Sequence, residues 1–314
     1  MAKALRFLSD GKAENFPRHA INLTNDGALG FMPATYIAGN LMGYKAVTVF
    51  PNNRIHGLNP HQGIVVLLDS ENGMVKAILE GSTVTALRTA AVSAVATEKL
   101  SRADSKKLAV IGAGRQAFEH ILSICQIRPI EKVLIYNRNL ETIKKLLAAL
   151  KDTVKLAKCK FEIAASPQKA VENADIVVTC TYSSTPLLRI NDFQPGTHIN
   201  AVGACRPGFT EVQLHDRDGL KIFMDSQHAC LIEASELSMA LAQGNLEASA
   251  LIGEIGDCLT GNILGRTDKT DITFFKSVGL GVEDLFAADC LFQLANTKKI
   301  GSAIYFDDTS IYEK

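Results

Sequence analysis

The second part of the chain alternates short apolar runs with amphipathic segments. Five runs rich in β-branched residues are interpreted as strands, at positions 108–114, 132–137, 174–181, 198–203 and 221–225. Segments such as LETIKKLLAAL lie between them and have apolar residues at helical spacing. Continuous apolar strands joined by amphipathic helices are typical of a parallel sheet covered on both faces. We therefore predict a doubly wound α/β domain from about Lys107 onward.

The first hundred residues have a different pattern. Tyr44–Phe50 and Gly63–Leu68 have the composition of strands, and Met74–Leu79 that of a return strand. The intervening Asp69–Gly73 is made of turn-forming residues. This order predicts an antiparallel hairpin, and so a small α+β unit ahead of the α/β domain.

Two helices outside the α/β pattern are also predicted. One runs from about Thr85 to Leu100 and is almost free of charge, which indicates burial at an interface between domains or subunits. Thr85 suits its N-cap, which would place Arg88 in the first turn. The other helix follows about Val282 and could return to pack on the first part of the chain. The polar stretch Ser101–Lys106 is a natural hinge.

A glycine motif predicts a nucleotide site. Gly112-Ala113-Gly114-Arg115-Gln116-Ala117 fits G-x-G-x-x-A, directly follows a predicted strand and opens a predicted helix. In that context the glycines allow a tight turn and a close approach to a pyrophosphate, which the helix amino terminus stabilises. We expect a dinucleotide to bind here.

The residues after the second strand bear on the choice of coenzyme. Asn137-Arg138 stands where an NAD enzyme normally carries the acid that binds the ribose 2′-hydroxyl. The missing carboxylate and Arg138 favour a 2′-phosphate, hence NADPH, with NADH possible and Arg115 as a second cation. The alternative is that Arg138 is a solvated surface charge. The loops after Thr179–Thr181, after Gly203 and at Lys276–Gly279 should face the nicotinamide.

Two charged residues stand in apolar surroundings. Arg88 in TALRTAAVSA needs a partner if it is buried, and a substrate carboxylate would provide one, with a structural salt bridge to a protein acid as the alternative. Lys45 in GYKAVTVF could have a depressed pKa and act as hydrogen-bond donor or acid, the alternative being a lysine on an edge strand. Arg18 carries no signal by itself.

Composition narrows the class of protein. The 33 Lys and Arg residues balance 33 Asp and Glu, so net charge gives no reason to bind nucleic acid or an anionic membrane. The longest charge-free stretch, Gly27–Tyr44, contains Pro33 and Asn40 and is no membrane span, and the start of the chain does not resemble a secretory signal. Seven scattered cysteines, with no Cys/His cluster, indicate reduced thiols, a cytoplasmic protein and no bound metal.

Six segments resemble the ornithine cyclodeaminase/μ-crystallin family, in the same order along nearly the whole chain. They are MPATYIAGNLMGYKAVTVFPNN, HQGIVVLLDSENG, TALRTAAVSAVATEKL, IGAGRQA, INAVGACRPGFTE and FKSVGLGVED. The resemblance implies a homodimer with a Rossmann-type NAD(P) domain inserted into an α+β substrate-binding and dimerisation domain. We expect residues 105–284 to form the former, and residues 1–104 with 285–314 the latter.

The resemblance also assigns roles to residues. Arg18, Lys45 and Arg88 fall on positions that bind the substrate, with Lys45 at the reacting group, and the segment around His61 lies near the nicotinamide. The full set of expected cofactor-binding residues is His61, Arg88, Thr89, Gly112, Ala113, Gly114, Arg115, Gln116, Asn137, Arg138, Thr179, Thr181, Val202, Cys205, Ser277 and Gly279.

One departure from the family decides between its activities. Cyclodeaminases resemble GGDCPGKTE in a stretch that here is GACRPGFTE, so Cys205 stands where their Asp would. We therefore expect an NADPH-preferring reductase that converts Δ1-pyrroline-2-carboxylate to L-proline, with Δ1-piperideine-2-carboxylate to L-pipecolate as a second reaction. The alternatives are an ornithine cyclodeaminase, an NAD-dependent alanine-type dehydrogenase, or a μ-crystallin-like ligand-binding or structural protein.

Overall fold

The computed structural model describes residues 1–24, 27–151, 153, 156 and 159–304, and these form two large sheets flanked by helices. The first sheet contains β1 (Glu14–Asn15), β2 (His19–Asn22), β3 (Ala28–Tyr36), β4 (Leu41–Val49), β5 (His61–Leu68) and β6 (Val75–Glu80). The second contains β7 (Lys107–Ile111), β8 (Lys132–Tyr136), β9 (Lys160–Ile163), β10 (Ile176–Thr179), β12 (His198–Ala201), β14 (Leu220–Met224), β15 (Leu251–Glu254) and β16 (Ile272–Lys276). Two short strands, β11 (Leu188–Arg189) and β13 (Val212–Gln213), pair with each other.

The helices alternate with the strands of the second sheet and frame the first. They are α1 (Ala2–Ser9), α2 (Gly81–Leu100), α3 (Arg115–Ile127), α4 (Leu140–Lys151), α5 (Pro167–Val171), α6 (Gln227–Glu233), α7 (Ser235–Ala242), α8 (Ile255–Thr260) and α9 (Gly281–Lys298). None of these described helices combines the length and apolar character that crossing a membrane requires.

The second sheet is parallel throughout, in the order β15-β14-β16-β12-β10-β7-β8-β9. Its central strands are fully buried because separate apolar clusters cover its two faces. The prediction of a doubly wound, Rossmann-type α/β fold is confirmed. Strand order reverses between β7 and β10, and in sheets of this kind ligands bind in the crevice beyond the carboxyl ends at that point.

The first sheet is antiparallel, and β4 lies between β3 and β5. The expected hairpin is present as β5 and β6, with Gly73 at φ +78° closing its turn. Lys45 therefore sits on an interior strand, opposite Met32 on one side and Val65 on the other, so the edge-strand alternative is wrong. The pattern missed β3, which accommodates Pro33 opposite Tyr44.

Helix α2 lies between the two sheets, as its apolar character predicted. Its side chains pack against β5 on one side and against Phe223 and Phe275 of the parallel sheet on the other. The predicted amino terminus is wrong, because α2 begins at Gly81 and the Glu80 carboxylate caps it by accepting from the amides of Ser82 and Thr83. Arg88 is therefore two turns inside the helix, away from its free amide groups.

Helix α9 returns to the first sheet, as its amphipathic pattern suggested. It contacts β3, β4, β5 and α2, and its apolar side chains join the core that contains Val65 and Leu67. The helix begins at Gly281, so the boundary expected at residue 285 falls within it, and the division into 1–104 with 285–314 and 105–284 stays a prediction.

Candidate active site

The turn after β7 has the backbone that a pyrophosphate needs. Gly112 adopts φ +125°, and a Cβ there would lie 2.8 Å from the carbonyl oxygen of Cys180. Gly114 is the N-cap of α3, and a Cβ there would meet nothing within 4 Å. The first amides of an α-helix have no acceptor within the helix, and the space at Gly114 lets a ligand approach this end of α3. The turn therefore fits a dinucleotide, whose phosphates the α3 amides would hold.

A cavity of about 540 Å³ adjoins this turn and is lined from both parts of the chain. Gln62 and the start of α2 form one wall, and Arg115 forms another. The neighbouring His61 supplies its carbonyl oxygen to the Ser82 hydroxyl at 3.1 Å. Arg115 is exposed and forms an ion pair with Glu119 at 2.7 Å, and its role as a second cation for the 2′-phosphate stays a prediction.

The residues after β8 stand where the coenzyme ribose was expected. Asn137 donates its amide to the carbonyl oxygen of Asn139 at 3.0 Å, which shapes the loop before α4. The side chain of Arg138 is exposed. Arg138 is thus accessible to a ligand, and it is also compatible with the solvated charge considered above.

Lys45 and Arg88 meet at a single carboxylate. The Lys45 Nζ atom lies 2.7 Å from Asp284 Oδ2, and Arg88 Nε lies 3.0 Å from Asp284 Oδ1. Arg88 Nη1 also pairs with Glu283 Oε2 at 2.8 Å, and Lys45 donates to the Thr85 hydroxyl at 3.3 Å. The partner of Arg88 in this structure is therefore a pair of protein acids, as the salt-bridge alternative held.

Burial shifts the protonation of this cluster. It lowers the pKa of Lys45 to about 8, although the charge of Asp284 limits the shift. It raises the pKa of Glu283 to about 8, although Arg88 opposes that change. Burial also disfavours the charged forms of Arg88 and Asp284, but their mutual attraction raises the pKa of the former and lowers that of the latter. Lys45 can therefore exchange a proton near neutral pH, whereas Arg88 remains charged.

Arg18 extends the cluster toward a second cavity. Its guanidinium pairs with Glu233 at 3.2 Å and donates to the carbonyl oxygen of Val278 at 3.1 Å. Both partners of that ion pair line a cavity of about 290 Å³, together with Met32 and Gly279. Burial raises the pKa of Glu233, which lies within electrostatic range of Lys45. The structure therefore brings all three predicted cations into one region.

Gly279 connects this region to the carboxyl edge of the parallel sheet. It adopts φ +81°, and a Cβ there would lie only 2.5 Å from Arg88 Nη1. The loop 277–279 follows β16 and is held by Asp225 Oδ2, which accepts from the Ser277 hydroxyl and from the amides of Val278 and Gly279, each at 2.8 Å. The cation cluster thus lies against a loop that was expected to face the nicotinamide.

Most of the other residues expected to bind the cofactor form hydrogen bonds or packing contacts within the protein. Thr89 donates its hydroxyl to the carbonyl oxygen of Thr85 at 2.8 Å, and the Val202 amide donates to the carbonyl oxygen of Thr179 at 3.0 Å. Cys205 is a free thiol that packs against the core of the parallel sheet, as expected of a space-filling residue. Ala113 lies in the dinucleotide turn itself, and the backbone carbonyl of Gln116, in the first turn of α3, contacts the buried His120 ring at 2.8 Å.

Sequence reasoning missed the acids of the site. Asp225, Glu233, Glu283 and Asp284 each neutralise or orient a group described above, and Glu283-Asp284 lay inside the quoted motif FKSVGLGVED. Arg88 was noticed because it is a charge in an otherwise apolar helix. The same criterion applied to the start of α9 would have marked Glu283 and Asp284 as candidate buried acids, although not as the partners of Arg88. Within the described chain, no group of three or more His, Cys, Asp or Glu side chains could hold a metal ion.

Replacing Asp284 with Asn tests the cluster. The variant leaves Lys45 and Arg88 buried without their shared carboxylate, so we expect the free energy of unfolding in urea to fall by about 3 to 5 kcal/mol. Asp289→Asn on the same helix is the control, since Asp289 accepts a single long hydrogen bond from Gln293 at 3.4 Å. Equal stability losses in the two variants would contradict a stabilising role for Asp284.

Two relatives align with most of the sequence of this chain. A Delta(1)-pyrroline-2-carboxylate reductase of Bacillus cereus is 37% identical over 276 residues, which cover 88% of this chain and 84% of the relative. A ketimine reductase mu-crystallin of Rattus norvegicus is 34% identical, with 85% and 80% covered. The relatives are named as reductases, so the predicted class of the chain, an NAD(P)H-dependent oxidoreductase, is confirmed.

Solved structures match over nearly the whole length. The Delta(1)-pyrroline-2-carboxylate reductase of Thermococcus litoralis, in complex with NADH and L-proline, has a TM-score of 0.89 at 30% identity, covering 96% of this chain and 93% of that one. An archaeal alanine dehydrogenase dimer with bound NAD has a TM-score of 0.88 at 28% identity, with 98% and 92% covered. A sequence model of the family matches residues 1–299, and the chain therefore belongs to the ornithine cyclodeaminase/mu-crystallin family.

Proposed function

We propose that the chain reduces the C=N bond of cyclic imino acids, converting Δ1-pyrroline-2-carboxylate to L-proline and Δ1-piperideine-2-carboxylate to L-pipecolate. The observation that carries this proposal is the convergence of Arg18, Lys45 and Arg88 against the loop 277–279, at the carboxyl edge of the parallel sheet. Cations in buried surroundings suit a small carboxylate, since bidentate arginine contacts are strong there.

The charge of the cluster favours a zwitterionic substrate. The cations Arg18, Lys45 and Arg88 are already paired with three acids, Glu233, Glu283 and Asp284. A substrate that brought only a carboxylate would leave a buried negative charge, which is costly. A carboxylate together with a protonated imine adds no net charge, and the protonated imine is also the form that accepts a hydride readily.

The roles of the three cations follow from their positions. Arg88 and Arg18 would hold the carboxylate, and Lys45 would donate a hydrogen bond or a proton to the imine nitrogen. A reduced nicotinamide, when bound, supplies the hydride that adds to the C=N carbon, so the protonated nitrogen becomes the ring amine. Fixing the carboxylate orients the reacting carbon and accounts for several kcal/mol of the barrier.

The relatives support the substrate class. The Thermococcus litoralis reductase binds NADH and L-proline, and the Bacillus cereus relative bears the same name. Cys205 also stands where the cyclodeaminase pattern has an aspartate carboxylate.

The proposed location is the cytoplasm. Seven free cysteines, all among the described residues, are compatible with that reducing compartment.

The proposed coenzyme preference is NADPH over NADH. It rests on two residues that follow β8: Arg138 is exposed, and Asn137 stands where an NAD enzyme normally has an acid. The solved relatives with bound coenzyme contain NADH or NAD. They support a nicotinamide cofactor, whereas the preference for the 2′-phosphate of NADPH rests on the sequence after β8.

We further propose a homodimer that forms through the outer face of the first sheet. Along β3 buried side chains alternate with more exposed ones, and the exposed Phe31 and Ile64 lie in one row across Ala46. Ile21 and Ile78 extend this exposed apolar face. A broad apolar sheet face marks a protein interface, and the related alanine dehydrogenase is described as a dimer.

Mixing the purified protein with NADPH and pyrroline-2-carboxylate tests the activity, with the absorbance of the reduced cofactor as the measurement. We expect consumption with both ring sizes. Arg88→Lys should lower kcat/KM by about a hundredfold, since a lysine cannot hold a carboxylate bidentately. No consumption with either ring, together with ammonia release from ornithine, would instead identify a cyclodeaminase.

The coenzyme preference is checked in the same assay. Arg138→Ala should raise the KM for NADPH by about tenfold, because a charge-assisted contact to phosphate is lost, and should leave the KM for NADH unchanged. Lys144→Ala, which removes an exposed charge from the next helix, is the control. Equal changes for both coenzymes in Arg138→Ala would contradict the proposed contact.

Light scattering tests the dimer. We expect twice the chain mass of 33.9 kDa for the wild type, and a shift to monomer for Ile64→Glu, which places a charge in the proposed interface. Leu264→Glu, at an exposed position of the loop between α8 and β16, is the control. A wild-type monomer, or an Ile64→Glu dimer, would show that this face is not the interface.

A further inference from the structure

Glu211 is a fully buried carboxylate that binds two loops at once. Its Oε1 atom accepts from the amide and the hydroxyl of Thr181 at 2.6 and 2.7 Å. Its Oε2 atom accepts from the Thr179 hydroxyl at 2.9 Å and from the Gly203 amide at 2.8 Å. Thr179 and Thr181 belong to the end of β10 and its loop, and Gly203 to the loop after β12. Each carboxylate oxygen thus holds at least one backbone amide.

A second buried acid connects Glu211 to a third strand. Glu236 Oε2 accepts from the Glu211 amide at 3.1 Å, and Glu236 Oε1 pairs with Lys276 Nζ at 2.6 Å. Lys276 is the last residue of β16 and directly precedes the loop 277–279 that contacts Arg88. Burial raises the pKa of Glu211, and the positive charge of Lys276 opposes that rise.

The loops held by Glu211 lie at the crevice beside the dinucleotide turn. β10 is the neighbour of β7 where the strand order reverses, and the carbonyl oxygen of Cys180 closely approaches Gly112. A Cβ at Gly203 would lie 2.5 Å from Glu211 Oε1 and 2.3 Å from the carbonyl oxygen of Thr181. A glycine is therefore needed for the two loops to come this close.

From this geometry we propose that Glu211 is a positioning residue for the nicotinamide half of the coenzyme, acting through the backbone at Thr181 and Gly203. The inference rests on the proposed function, since it requires a nicotinamide beyond these strands. The Thr179 side chain is fully buried and serves Glu211 rather than a ligand. The adenosine half depends on the turn at Gly112 and on the residues after β8, which Glu211 does not contact.

A glutamine cannot replace this carboxylate. The amides of Thr181 and Gly203 can only donate, and they are bound to different oxygens of Glu211. Whichever way the side-chain amide of a glutamine were turned at this position, its NH2 group would face one of these two backbone amides. One loop would lose its anchor, whereas the threonine hydroxyls could rotate to accept.

The test compares binding of NADH with that of ADP-ribose, which lacks the nicotinamide, in Glu211→Gln. The chain contains no Trp, so fluorescence of NADH itself reports its binding, and ADP-ribose is measured by competition or calorimetry. We expect the Kd for NADH to rise about tenfold and the Kd for ADP-ribose to stay within about twofold of wild type. Thr179→Val removes one donor to Glu211 and keeps both amide bonds, so it should show a smaller change of the same kind.

Asp271→Asn is the matched control, because it removes a buried carboxylate at the amino-terminal edge of the same sheet, where Asp271 pairs with Lys221 at 2.8 Å. It should leave both affinities unchanged. Equal weakening of NADH and ADP-ribose, or no change, in both Glu211→Gln and Thr179→Val would overturn the inference. If the inference failed but the wild type bound NADH and reduced pyrroline-2-carboxylate with it, the proposed function would still stand. A wild type that bound neither nucleotide would overturn both.

Discussion

The burial of cationic side chains is the constraint on which this structure depends, because a charge removed from water must meet opposite charge. Asp284 meets that requirement for Lys45 and Arg88 together, and so joins strand β4, helix α2 and helix α9 at one point. The three elements meet here because β4 is an interior strand, α9 returns to the first sheet and α2 lies between the two sheets. The proposed substrate site is thus made of segments that are distant in sequence.

The parallel sheet places its loops against that junction. Asp225 shapes the loop after β16 so that Gly279 can approach Arg88, while Glu211 joins the loops after β10 and β12. Each of these acids accepts hydrogen bonds from backbone amides and so holds its loops in place. Preorganised backbone of this kind is what transfer of a hydride between two bound molecules requires, since orientation contributes more than any single contact.

Local signals in the sequence were sufficient for the fold and the dinucleotide turn. The strand, glycines and helix around Gly112 are contiguous, so their pattern is readable without tertiary information. The start of α2 was misplaced because Thr85 is a favoured cap residue and Glu80 is not, and only the geometry shows that the Glu80 carboxylate reaches two amides. The acids of the site were missed because a pair such as Arg88 and Asp284 is separated by 196 residues.

The pH dependence of imino acid reduction tests the central claim, that Lys45 in this buried cluster donates to the imine. Burial lowers the pKa of Lys45 to about 8, and kcat/KM reports groups of the free enzyme. After correction for ionisation of the free imine, the account predicts that kcat/KM is constant below that pKa and falls as pH rises through about 8. A corrected profile that stayed flat through this range would contradict it.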